Sequence, residues 1–517
     1  MEGTWRFWKV KTTDEVTINK KGVMMKKLIG KIEGNRPIIF IFIIFCTLLM
    51  SLTASNNPFC VGNTGTDSSV FNYVARTILH GGIPYRDSFD HKGPLIYLID
   101  AFGLALNINI GVWIMEFVFI FLSFWFGYKI AKMLGCDDKK SLVVVVICVL
   151  TLSYYFQGGN LVEEYACTFI MISLFIFTKF FLKAYIKPIE FVFCGISFAA
   201  VCLLRINMIA LWVVMCIAAL TNWIKKKEDI AVILRNIAWF VVGVASVSLP
   251  IIIWLIKNNA FDFFIEDYFT FNFMYSSDTE RASIRNIMYA IYYFGTSAPI
   301  VLMVPILSYF CLVKKELLDW LCMVTVVLSV AMMCISGQSY DHYGMILCPL
   351  VVYAISRLLS ELPLKIEKRD GALIISGICM VMLLFASSFY RLTVSTAKAF
   401  IGYKSDDMVE MQEVADVIKA NTDSNDKITV CGNRDIIYLL AERESSSRYS
   451  YQDPIADVNP TIKEEYLNDI QSLTAKIIVI ANNSTWYDSV NGVLDRHYRL
   501  IDTVGTTKIY LLKNMNK

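Results

Sequence analysis

Charge is scarce in this chain. Only 18% of its 517 residues are Asp, Glu, Lys or Arg, while 56% are hydrophobic and 14% aromatic. Soluble domains carry about a quarter charged residues, and a single core stops growing at roughly 250–300 residues. The surplus apolar residues therefore exclude a soluble globular enzyme, a disordered chain and a fibrous repeat. No close pair of its 14 cysteines has metal-ligand spacing, so a zinc module is excluded. No phosphate-loop or dinucleotide fingerprint is present; Gly432 stands alone after its strand. No internal repeat marks an inverted-repeat transporter.

What the chain does have is a series of membrane-length apolar runs. They cover residues 38–54, 112–133, 141–156, 165–182, 191–204, 208–223, 237–256, 287–313, 317–335, 344–359 and 372–390. This pattern predicts a polytopic α-helical membrane protein of about eleven transmembrane helices. Residues 95–106 form a shorter apolar stretch, read as a re-entrant or interfacial helix. Residues 1–37 hold nine Lys and Arg against four Asp and Glu. Lysines also recur in alternate loops (Lys139 and Lys140, Lys183 and Lys187, Lys225 to Lys227, Lys314 and Lys315, Lys365 and Lys368). The positive-inside rule then predicts a cytoplasmic N-terminus in the plasma membrane, with the first span a signal anchor, and an extracytoplasmic C-terminus.

From Lys404 onward there are 13 Lys and Arg against 18 Asp and Glu, net −5, which leaves +8 on the first 403 residues. A basic membrane part and an acidic tail point to opposite sides of a membrane, not to nucleic acid. In the tail, a helix over 407–420, strands over 427–431, 476–480 and 507–512, and a helix over 435–441 predict a small α/β domain. The domain organisation read from this is a tail 1–37, a transmembrane domain 38–390 with an outer loop 55–94, and an outer domain 391–517. Cys60 and Cys431 fall on the outer side and could pair.

The outer loops collect the residues suited to chemistry. Asp67 precedes a helical face of Val70, Phe71, Val74, Ile78 and Leu79, read as an amphipathic helix on the outer leaflet. Asp67 either caps that helix or acts as a base, and the two roles are compatible. The segment GGIPYRDSFDHKGPL (81–95) gathers Arg86, Asp87, Asp90, His91 and Lys92; it is either a solvated turn or a binding loop for a charged group. GGNLVEEY (158–165) carries Glu163 and Glu164, and solvated loop acids are the alternative there. Arg205 stands between two short apolar runs, either functional or snorkelling. Tyr340, Asp341, His342 and Tyr343 open another span, at a boundary where a lipid phosphate could be met. All of these emerge on one face, where carboxylates could deprotonate an acceptor hydroxyl and cations could receive a phosphate leaving group.

On these motifs, with Leu204-Arg205-Ile206-Asn207 and the tail segment 431–454, the chain resembles the GT-C glycosyltransferases. The similar branch holds protein O-mannosyltransferases and lipid A aminoarabinose transferases, and the similarity spans most of residues 38–454. The resemblance implies a polyprenyl-phosphate sugar donor, a glycan, lipid or protein acceptor, and inversion at the anomeric carbon on the extracytoplasmic face. It implies Asp67 as general base, with a second acid at Glu163 or Glu164 (Glu163 preferred). Lys92, Arg205, His342 and Arg86 fall to the donor phosphate. Asp87, Asp90, His91, Tyr340, Asp341 and Tyr343 fall to acceptor or loop support. The first site has a single Asp, not an adjacent acidic pair, so no metal or other cofactor is expected, although a divalent metal is compatible with the reaction. A flippase for a lipid-linked glycan and a non-catalytic membrane scaffold are the alternatives from other classes.

Overall fold

The computed structural model describes residues 34–60, 66–182, 186–277, 283–335, 337, 339–361, 381–481 and 484–513. Most of the basic N-terminal tail lies outside these residues, as do Lys183, Lys365, Lys368 and part of the last apolar run. Each apolar run up to residue 359 lies on described helix. Gly111–Met133, Val162–Phe181, Ile230–Lys257, Leu317–Cys334 and Asp341–Glu361 are long and apolar enough to cross a membrane. Arg36–Ser51, Pro188–Cys202 and Ala210–Lys225 are shorter apolar helices, and so is Pro94–Leu106, the stretch read as re-entrant. The chain is a multi-pass membrane protein.

One expected span is broken. The run 287–313 forms two helices, Ile284–Ser297 and Pro299–Cys311, bent by 80°. Pro299 has no N–H to donate into the preceding turn, and the residue before a proline is driven off the α conformation. Ala298 accordingly sits at φ −117°, ψ 44°. Elsewhere small residues bring helices together. Gly195 and Gly243 each face the partner backbone so closely that a Cβ would lie 2.0 Å from Phe240 O or 2.1 Å from Val192 O.

The C-terminal domain, expected on the outer side and called the outer domain for that reason, holds a four-stranded sheet in the order β1 (Lys427–Cys431), β2 (Ala475–Ile480), β4 (Thr507–Leu512), β3 (Tyr498–Val504). β1 and β2 are parallel; β4 runs antiparallel to both β2 and β3. Alternate side chains face opposite layers, as the pleat requires. Ile428, Val430, Ile477 and Val479 pack with Met411, Val414 and Ile418 of helix Asp406–Asn421. Cys431, Ile478 and Ile480 lie in the layer with Tyr466 and Leu494 from helices Pro460–Gln471 and Tyr487–His497. Burial on both faces explains why β1 and β2 read as continuous apolar runs. Cys60 and Cys431 are free thiols, the latter accepting a hydrogen bond from Tyr466 Oη at 3.3 Å.

The helix Thr66–Leu79 is not laid on a leaflet. Val70, Phe71 and Val74 are buried as expected, but so are Ser68, Ser69, Asn72 and Tyr73 on its polar side. That side meets the outer domain: Tyr73 joins its core. Arg76 donates to the carbonyls of Tyr438 and Leu439 at 3.2 and 3.1 Å. A polar face at a membrane surface and a polar face at a domain interface have the same periodicity.

Candidate active site

A cavity of about 670 Å³ opens between the first outer loop, the 205–207 hairpin, the helical stretch 261–277, residues 340–343 and outer-domain residues 433 and 451–455. Asp67, Asp90, His91, Lys92, Arg205, Tyr340, His342 and Tyr343 all line it. Segments far apart in sequence thus meet at one place.

A backbone contact brings Lys92 beside Arg205. Gly93 N donates to Leu204 O at 3.0 Å and Leu95 N to Leu203 O at 3.1 Å. A Cβ at Gly93 would lie 2.1 Å from Leu203 O, so only glycine lets the strands of chain close here. Pro94 then starts the next helix from its first turn. The far side of the loop is tied down by Asn272 Nδ2, which donates to His91 O at 2.7 Å, and by Phe89 N, which donates to Arg448 O at 2.7 Å.

Within this loop Asp90 is a buried support. It accepts from Tyr97 Oη at 2.7 Å and Tyr451 Oη at 2.8 Å. Burial raises its carboxyl above the usual range despite Lys92 and these donors. His91 is held well below the usual histidine value, first by burial and then by the positive charges of Lys92 and Arg205. Its Nε2 lies 2.8 Å from Lys92 Nζ.

Arg205 donates to Glu163 Oε1 at 2.9 Å and to Tyr343 Oη at 2.8 Å, and its guanidinium lies 4.8 Å from the Tyr343 ring centre. His342 Nδ1 is 3.0 Å from Gln157 Oε1, its Nε2 is 4.0 Å from Glu163 Oε2, and its ring stacks on Tyr340. Asp67 stands in the first turn of its helix, half-buried, and makes no hydrogen bond or ion pair with any described residue. Asp453, which also lines the cavity, accepts from Trp486 Nε1 at 3.2 Å.

Other residues singled out in the sequence go elsewhere. Arg86 pairs with its neighbour Asp87 at 2.6 Å and donates to Asn258 O, and neither residue lines the cavity. Asp341 does not line it either; its Oδ2 accepts from Gln157 Nε2 at 3.5 Å. Glu164 turns away from Glu163. Its carboxylate shares the Asn160 N–H with Glu116, each at 2.8 Å, and Asn160 Nδ2 also donates to Asp100 at 2.9 Å and Ser68 at 3.1 Å. Asp100, Glu116 and Glu164 are buried and not ion-paired with any described residue. Among the described residues no group of three or more His, Cys, Asp or Glu is placed to hold a metal ion.

Asn433, Tyr451 and Asp453 in the cavity wall come from the tail segment 431–454, which carried the resemblance without a role for any single residue, whereas Tyr268, Asn272 and Tyr275 from the 261–277 stretch carried no sequence signal. Asp100 and Glu116 did carry one, as single acids inside apolar runs.

Two family models match the chain: the competence-induced protein Ccs4 N-terminal domain over residues 32–394, and the Ccs4 C-terminal domain over residues 408–513. A search of curated protein sequences finds no match. Among solved structures, ArnT from Cupriavidus metallidurans bound to undecaprenyl phosphate superposes with a TM-score of 0.60 at 10% identity, over 93% of this chain and 99% of that one. The same protein in the apo state gives 0.55 at 10% identity, over 91% and 97%. The architecture shared with them is the GT-C fold.

Proposed function

The chain belongs to the competence-induced Ccs4 protein family, and from that footing we propose that it is an inverting glycosyltransferase. It moves a sugar from a polyprenyl-phosphate donor to an acceptor hydroxyl on the extracytoplasmic face of the plasma membrane. In this reading residues 38–390 hold the transferase and 391–517 form an extracytoplasmic domain that closes the cavity. The observation that carries it is the composition of that cavity: Asp67, a carboxylate with no hydrogen bond or ion pair to any described residue, shares it with the cations Lys92 and Arg205.

The chemistry follows from those positions. Asp67 accepts the proton of the acceptor hydroxyl as its oxygen attacks the anomeric carbon. The bond from that carbon to the phosphate oxygen breaks on the opposite face, which inverts the centre. The negative charge left on the lipid phosphate is received by Lys92 and Arg205, with His342 beside them. Glu163 serves here by orienting Arg205, which leaves Asp67 as the base.

The mouth of the cavity supports a lipid donor. Ile206, Phe269, Phe273 and Ile335 line it and yet are 42–73% exposed. Large apolar side chains at the open edge of a charged cavity mark a lipid-facing portal, through which an isoprenoid chain would lie while its phosphate reaches the cations. The likeness to a fold that binds undecaprenyl phosphate in ArnT supports the same reading.

The test uses purified protein in lipid nanodiscs with radiolabelled polyprenyl-phosphate sugars and acceptor extracts, for the native chain and Asp67→Asn. Asparagine has the same shape as aspartate, and Asp67 makes no hydrogen bond or ion pair with any described residue, so the variant should fold. Consumption of one donor, reduced about 10²–10⁴-fold in the variant, is expected. No consumption of any donor, or equal turnover by a folded Asp67→Asn protein, would overturn the proposal.

A further inference from the structure

The bond between His91 and Lys92 has a direction that chemistry fixes. A lysine ammonium has three N–H donors and no acceptor, so at 2.8 Å His91 Nε2 must be the acceptor. The ring proton is then on Nδ1. That nitrogen lies 3.3 Å from Tyr451 Oη and 3.4 Å from Asp90 Oδ1. Tyr451 gives its own proton to Asp90 Oδ1 at 2.8 Å, so its oxygen is free to accept from the ring. Asp90 Oδ2 is held by Tyr97 Oη. The imidazole also packs against Phe271 and stacks on Tyr275 at 20°. Its orientation is therefore set from both the edge and the face.

We infer that His91 is a positioning residue that aims Lys92 at the donor phosphate. It fixes one ammonium N–H and leaves the other two for the cavity. A lysine side chain is a point charge on a flexible four-carbon stem, and nothing in its own geometry points it. A ring anchored by Asp90 and Tyr451 supplies that direction without adding charge, since burial and the neighbouring cations keep the imidazole neutral. Tyr451 belongs to the outer domain, so that domain contributes to the phosphate site through His91. The inference rests on the donor reading above.

The experiment measures binding of undecaprenyl phosphate to the full chain in nanodiscs, with undecaprenol and inorganic phosphate as separate arms. The variants are His91→Leu, His91→Gln, Lys92→Ala and the double variant His91→Leu/Lys92→Ala, each checked for folding by thermal unfolding. His91→Phe, which keeps the ring stack, replaces His91→Leu if the latter does not fold. His91→Leu should weaken binding about tenfold, the worth of one charge-assisted hydrogen bond. His91→Gln, whose carbonyl can still accept from Lys92, should recover most of it. The double variant should bind no worse than Lys92→Ala, and undecaprenol binding should not move.

Native-strength binding by His91→Leu overturns the inference. So does an equal further loss when His91→Leu is added to Lys92→Ala, because a packing role would be independent of the lysine. Failure of the native chain to bind undecaprenyl phosphate, or equal binding of undecaprenol, overturns the donor reading as well. The two failures are thereby told apart.

Discussion

Glu163 and Arg205, 42 residues apart in sequence, meet at 2.9 Å, and the arginine is shared with Tyr343 at 2.8 Å. This contact places a cation at the cavity wall on an apolar support, where an unpaired arginine would be costly. It also separates two roles that the sequence leaves together. Glu163 has its oxygen committed to a guanidinium, whereas Asp67 has no such commitment.

Glu163→Gln should therefore behave differently from Asp67→Asn. Breaking a buried ion pair costs roughly 3–5 kcal/mol. Because the Arg205 side chain keeps 24% of its exposure and its bond to Tyr343, a loss of about 2 kcal/mol is expected. Thermal unfolding checks this. Donor turnover should fall but persist; its complete loss in a folded Glu163→Gln protein would assign Glu163 the proton transfer instead.

Gly93→Ala should be among the most damaging single-methyl changes in the protein. The new Cβ would meet Leu203 O at 2.1 Å, a backbone atom that no rotamer change can move. An overpacking cost of about 1–3 kcal/mol is expected, and Lys92 would be displaced from Arg205. Lowered melting temperature together with weaker polyprenyl-phosphate binding is the expected pair of results. Unchanged binding would show that the two cations do not depend on this contact.

Asp435 gives a pH dependence. It is fully buried at the start of helix Ile436–Ala441, and burial pushes its carboxyl up to about 7. In the unfolded chain the same group titrates near 3.9. Below that pH it is neutral in both states and costs nothing. As pH rises from about 4 to about 7, the unfolded state loses its proton first, and the folded state is destabilised relative to it. Three units correspond to on the order of 4 kcal/mol. Asp435→Asn should thus raise the melting temperature at pH 7.5 and change it little at pH 4. An equal shift at both values would show that burial does not raise this carboxyl in the folded protein.

Arg448 fastens the outer domain to the membrane domain. Its Nη2 lies 2.8 and 2.7 Å from the two oxygens of Asp267, and its guanidinium lies within 5.5 Å of the rings of Phe89, Phe263 and Tyr449. Arg448→Met keeps much of the packing but leaves Asp267 buried and alone, a change worth roughly 3 kcal/mol. Faster amide exchange should appear in residues 446–455 and 261–277 and not in β1 or β2. Uniform exchange rates across the outer domain would show that the two domains are held elsewhere.

Strand β1 was legible to the residue because a short apolar run buried on both faces leaves little ambiguity, and β4, buried only at Thr507 and Ile509, was legible through the apolar run from Ile509 to Leu512. The loops around Asp67, Lys92, Glu163, Arg205 and His342 were legible through their motifs, and they converge. Strand β3 was not, since Arg499, Leu500, Asp502 and Thr503 are exposed at the sheet edge and show no clear alternation. Arg86 looked like its neighbour Lys92 in sequence, but a carboxylate one residue away captured it. The side to which Glu164 turns depends on Asn160, which holds φ +48° and is read only from the fold. The break at Pro299 was present in the sequence as a proline inside an apolar run.

Tyr73 takes on a further meaning when synthesis is considered. It sits in the outer domain's core, and its hydroxyl accepts from Ser445 N, 372 residues later in the chain. A ribosome delivers Tyr73 long before its partners exist. The first loop must then wait with an aromatic face uncovered until every later helix has been inserted. The outer domain, made alone, would lack one of its core side chains. The last domain to emerge is thus the one that lets the first loop finish folding, and the site cannot be completed on a nascent chain.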